Sequence, residues 1–117
     1  MRDDPTPDPR PDPERLATDA AAIRAAAAEL LTRVHEWRNS PHWQDTPTNQ
    51  HRYRTTVDTC AQLDGLPDPT TPDHLAEVVD TVRPAYMVWL PSRPGRQQAI
   101  HAAAERLAMT ISLFTTG

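Results

Sequence analysis

Between positions 35 and 54 the chain crowds its most chemically capable side chains: His35, Trp37, Arg38, His42, Trp43, His51, Arg52, Tyr53 and Arg54. Arginine beside aromatic rings is suited to recognition, because a guanidinium pairs with phosphate or carboxylate and also stacks on flat π faces. From Arg24 to Arg54 there are five arginines against Glu29, Glu36 and Asp45, a local excess of two positive charges. Structure competes for the same residues, since Trp37 and Tyr53 also fall on apolar stripes and loops collect polar groups in any fold. Arg38, His42, Trp43, His51, Arg52 and Arg54 are the candidate ligand-binding set that this segment offers.

Catalytic and metal chemistry find less support. Neutral imidazole binds transition metals well, but prolines interrupt the steps from His35 to His42 and from His42 to His51, and no HExxH, Glu-x-x-His or cysteine-histidine finger is present. Cys60 lies nine residues from His51, which on a helix at about 100° per residue puts the two on opposite sides. A buried, inert thiol is the better account of it. His74 with Glu77 and His101 with Glu105 have the spacing of surface helix pairs. With glycine only at 65, 95 and 117, a glycine-rich phosphate loop is excluded. No catalytic, cofactor-binding or metal-binding residue is assigned, and no cofactor is expected.

The elements that must position these groups follow from apolar spacing. Leu16, Ala20, Ile23, Ala27, Leu30, Val34 and Trp37 recur at steps of four and three, with Leu31 beside them, and only a helix gathers them on one face. Asp12 and Pro13 suit its start, and Asn39-Ser40-Pro41 its end. Thr46-Pro47 and Thr71-Pro72 repeat the capping pattern, and Ser92-Arg93-Pro94 does so loosely, which predicts three further helices. The second spans about 47–63, with Tyr53, Val57, Cys60 and Ala61 inward despite β-branched Thr55, Thr56, Val57 and Thr59, and ends at Asp64-Gly65 with Gly65 left-handed. The third shows Leu75, Val78, Val79 and Val82 and continues in phase through Tyr86, Trp89 and Leu90, kinked or split at Pro84. A strand over 85–90 competes with that helix but has no evident pairing partner. The last runs from about 96 to 114, with Ile100, Ala103, Leu107, Ile111 and Phe114 inward and Ala104, Ala108 and Met109 broadening the face. An all-α bundle of about four helices is therefore expected over residues 13–117. Residues 1–12, with prolines alternating from Pro5, are expected to form an extended, disordered tail lacking PxxP spacing.

Composition narrows the partners. All 12 basic residues are arginine, and against 16 acidic ones they leave a net charge of -4, too mild to mark a nucleic-acid binder. The proline-bearing connection from Asp64 to Thr71 is too long for a helix-turn-helix, and Asp73, Glu77 and Asp80 on the next helix would repel phosphates. No apolar run reaches the roughly 20 residues that span a bilayer, and Met1-Arg2-Asp3-Asp4-Pro5 lacks a secretory pattern, so a cytoplasmic location away from membranes is expected.

Tyr86, Met87, Val88, Trp89 and Leu90 are apolar all round, whereas a surface helix keeps one polar side. Tyr86, Met87, Val88 and Trp89 are accordingly the candidate partner-binding residues. The leading expectation is a non-enzymatic interaction or regulatory protein that buries this surface against a protein partner or a second copy. The alternative is a module binding an anionic or aromatic ligand through the arginine-aromatic segment, and the third is an enzyme whose site assembles only in three dimensions.

Overall fold

The computed structural model describes residues 13–90 and 98–115, apart from the side chains of Pro13, Phe114 and Thr115. It is all helical: α1 (Pro13–Arg38), α2 (Pro47–Asp64), α3 (Pro72–Met87) and α4 (Gln98–Thr115). Among the described residues there is no strand, so the β reading of 85–90 is overturned. The tail, the Asp12 cap, the Ser92-Arg93-Pro94 start and the packing of Phe114 lie outside the described residues. Among those described, no helix is long and apolar enough to cross a membrane.

α1 places its stripe where the spacing requires, with Leu16, Ala20, Ile23, Ala27, Leu30 and Val34 all buried. Leu31 and Trp37 pack at its edges. The hydroxyls of Thr18 and Thr32 donate to the Glu14 and Ala28 carbonyls one turn back, so these residues stay within the helix on its exposed side. Contacts fix the direction of the next helices. Along α1 from residue 35 back to 27, the α2 partners run forward from Tyr53, which meets His35, to Cys60, which meets Ala27. The two helices are therefore antiparallel. Trp89, just past α3, returns to Trp37 near the end of α1, so α1 and α3 finish at the same end of the bundle. α4 lies against α1, where the Arg106 guanidinium donates to Glu29.

Both Thr-Pro caps form. Thr46 and Thr71 are extended at φ -98° and -138°, and each side-chain oxygen accepts the backbone N–H three residues on, at 3.2 Å, from Asn49 and His74. Proline follows at the first helical position, where its missing N–H costs nothing.

The α2 face is rotated from the expected one. Thr56, Thr59, Cys60 and Leu63 are buried, Tyr53 and Val57 are half-buried, and Ala61 is exposed. The reason is that Thr56 has a buried polar partner. Its hydroxyl donates to the Arg52 carbonyl at 2.9 Å and accepts the Trp89 indole N–H at 3.1 Å. Gly65 ends α2 as expected, but at φ -80° and ψ -10°, right-handed rather than left-handed, because its N–H continues to the Ala61 and Gln62 carbonyls. Leu66 then bonds Leu63, and Pro67 stops the turn.

α3 carries Pro84 inside it and is not split there. Pro84 lies exposed, so the Asp80 carbonyl that it cannot bond faces water rather than the core. The helix ends at Met87, short of the expected Leu90, and tight turns follow in which Trp89 and Leu90 both bond the Tyr86 carbonyl. On α4, Ile100, Ala103, Ala104, Leu107 and Ile111 are buried, but Met109 is 69% exposed. Its expected place on the inner face fails on geometry, because two residues from both Leu107 and Ile111 is about 200° around the helix.

The long connection between α2 and α3 is strapped to α1 by Arg24. Its guanidinium donates to the Leu66 carbonyl at 2.7 Å and to Asp68 at 2.9 Å, and Pro69 of the same connection is buried.

Candidate ligand cleft at the aromatic end

Where α1 and α3 finish and α2 begins, aromatic rings form a continuous edge-to-face series. Trp89 meets Trp37 at 5.6 Å between centroids, Trp37 meets Trp43 at 4.6 Å, Trp43 meets Tyr53 at 6.0 Å and Tyr53 meets His35 at 5.7 Å. Such pairs stabilise by about 0.5–1.5 kcal/mol each beyond simple burial. Tyr53 adds a hydrogen bond to His35 Nδ1 at 3.3 Å.

The loop that carries Trp43 is itself tied down. Ser40 bonds the Trp37 carbonyl through both its N–H and its hydroxyl, and that hydroxyl accepts from the His42 N–H. The Trp43 N–H then donates to the Ser40 carbonyl. On the far side, the Asn49 amide donates to the Gln44 carbonyl at 2.8 Å and the Gln50 amide to Asp45 at 2.6 Å. The loop is thus a chain of short turns closed onto the start of α2.

Arginine covers this aromatic wall. The Arg38 guanidinium carbon stands 4.8 Å from the Trp43 centroid and 5.9 Å from that of Tyr53, and Arg52 stands 5.7 Å from Trp89. Arg38, Trp43, Asp45, Gln50, Tyr53 and Arg54 line a shallow cleft of about 270 Å³. Elsewhere Arg24, Arg33, Arg83 and Arg106 each have a carboxylate: Asp68, Glu36, Asp80 and Glu29. Arg38, Arg52 and Arg54 form no ion pair among the described residues. The first turn of α2, whose positive dipole end borders the cleft, carries no acidic residue.

The structure thus brings together Arg38, Trp43 and Arg54 from the sequence-predicted set and leaves Arg52 outside the cleft, over Trp89. His42 and His51 are exposed and do not line the cleft. Asp45, Gln50 and Tyr53 were not in that set. A signal for the first two is their position just before and within the first turn of the Thr-Pro-capped helix, the point where loop and helix must meet. The apolar run at 86–90 divides: Tyr86 and Trp89 are core residues at 8% and 2% exposure, Val88 is half-buried, and Met87 is 47% exposed.

Compared with known family models, curated proteins and solved structures, the chain matches none.

No group of three or more His, Cys, Asp or Glu gathers at metal-holding distance among the described residues. Cys60 is buried, with its thiol 3.8 Å from the Ala27 carbonyl, while His51 is exposed. Burial, aided by the negative charge of Asp64, pushes the Cys60 thiol up to about 11. At neutral pH it is a protonated packing group rather than a nucleophile.

Proposed function

We propose that this chain is a non-enzymatic binding module that recognises an anionic group at the aromatic end of its helical bundle. The observation that carries this reading is the meeting of Arg38 and Arg54 in one cleft, neither with a carboxylate partner among the described residues, with Arg38 held over Trp43 and Tyr53. A cation held against a ring keeps its outward N–H groups for a ligand, and less side-chain freedom is lost when the ligand arrives. Two arginines and one aspartate leave the cleft lining with a net positive charge, against a chain that is negative as a whole.

The test is a titration with a short oligo-glutamate peptide, followed by tryptophan fluorescence at low and at physiological ionic strength. Binding is expected to weaken with salt and to fall in Arg38→Ala and Arg54→Ala. A salt-insensitive response, or no response to this peptide and none to any smaller anion, refutes the reading.

A second reading, contact with a protein partner or a second copy through the 86–90 surface, is supported by the exposure of Met87 beside half-buried Val88. Tyr86 and Trp89 would have to leave the core to join that contact, which makes it the smaller surface. Sedimentation of the wild type and of Met87→Glu tests it: a monomer at every concentration, with partner binding unchanged by the substitution, removes it.

A further inference from the structure

The cleft lining is mixed in a way that a bare anion does not use. Arg38 and Arg54 supply positive charge, but Asp45 stands in the same lining and would repel phosphate or carboxylate. Asp45 Oδ1 accepts from the Gln50 amide, which leaves Oδ2 to accept from a ligand. A molecule fitted to all of these groups has an anionic end, a flat apolar body and hydroxyl or amine donors. The volume of about 270 Å³ lies just below the range of roughly 300–1,000 Å³ for small-ligand sites, so it holds at most part of one compact ligand, the rest of which stays in solvent.

Resting on the anion-binding reading above, we propose that the cleft takes a nucleoside monophosphate. The phosphate pairs with Arg54 and the outward N–H groups of Arg38, the base lies over the Arg38 guanidinium that covers Trp43 and Tyr53, and the ribose hydroxyls or exocyclic amine donate to Asp45. A phosphate monoester approaches two negative charges at neutral pH, which matches two guanidinium groups better than one carboxylate does. Stacking adds affinity for any base, because every base has a π face, so discrimination between bases is weak. Gln50, whose amide donates to Asp45, keeps its carbonyl oxygen as a second acceptor in the lining.

Adenosine monophosphate, adenosine, inorganic phosphate and the oligo-glutamate peptide are titrated separately into the full chain, with calorimetry for affinity and the indole N–H resonances for location. The monophosphate is expected to bind about tenfold or more tightly than adenosine or phosphate alone, the scale of one charge-assisted hydrogen bond. The Trp43 resonance should move while that of buried Trp89 stays. Arg54→Ala and Asp45→Ala alter exposed positions, and circular dichroism checks that both variants fold. Arg54→Ala should weaken the monophosphate and phosphate together. Asp45→Ala should weaken the monophosphate and strengthen inorganic phosphate, a split that a merely structural aspartate would not produce. Equal affinity for monophosphate and phosphate, or equal response of both to Asp45→Ala, overturns the proposal. Binding of oligo-glutamate without the monophosphate overturns it while leaving the anion module standing, and binding of neither overturns both.

Discussion

Replacing Thr56 by valine tests how the bundle closes around Trp89. Thr56 is fully buried, and its hydroxyl stands between the Arg52 carbonyl and the Trp89 indole N–H at 2.9 and 3.1 Å. Valine keeps the shape and the β-branching, and threonine and valine have similar helix propensity, so packing and backbone terms nearly cancel. What changes is the acceptor offered to a buried indole N–H, and losing it costs about 1–3 kcal/mol. Urea denaturation of the wild type, Thr56→Val, Trp89→Phe and the double variant isolates that contribution. Phenylalanine lacks the N–H, so in its background Thr56→Val should cost little, with a coupling energy of about 1 kcal/mol or more. A coupling below about 0.3 kcal/mol would refute the bridge and leave Thr56 as filler.

Gly65 has right-handed angles, and an added Cβ would meet the Gln62 and Ala61 carbonyls at 3.5 and 3.8 Å, ordinary contact. Gly65→Ala should therefore stabilise by about 0.4–1 kcal/mol in the same denaturation assay, whereas a left-handed Gly65 would have been harmed. Cys60 should resist a thiol reagent at neutral pH and react only on unfolding. Its pKa is raised from 9.0 to about 11, so the folded state holds the proton more tightly. Stability from that term is complete below about 9 and is lost as pH rises toward about 11, a loss that Cys60→Ala should abolish in a pH series of melts. Arg24→Ala should cost about 1–2 kcal/mol by releasing the 66–68 connection, and Arg24→Lys should not restore it, because one ammonium cannot reach both the Leu66 carbonyl and Asp68 as the fork does.

The helices are legible in the sequence because their determinants are local. A step of three or four needs only the 3.6-residue turn, and Thr-Pro marks a start because hydroxyl and imide ring act on the adjacent backbone. What depends on partners far along the chain is not legible. Thr56 reads as a poor helix former until Trp89, 33 residues away, arrives to occupy its hydroxyl. The 86–90 run reads as helical throughout because spacing does not register that Trp89 must fold back onto Trp37 and Thr56. Within the cleft, Arg38, Trp43 and Arg54 stand out by type. Asp45 and Gln50 do not, since their role depends on a hydrogen bond across the start of α2.

Trp37 links the two problems, stability and recognition. Its ring meets Trp89 in the core and Trp43 in the cleft wall, so the same ring helps close the bundle and hold the cleft. Two edge-to-face contacts at about 0.5–1.5 kcal/mol each make its loss a matter of folding before it is a matter of binding. Trp43 is held from three directions, by Trp37, by Arg38 and by the Ser40 turn, and it has little freedom left to lose to a ligand. In the proposed binding module, a wall so constrained would give modest but orientation-selective affinity. On that proposal selectivity would reside at the rim, where Arg54 and Asp45 are exposed and substitutions should change what is bound without changing whether the bundle folds.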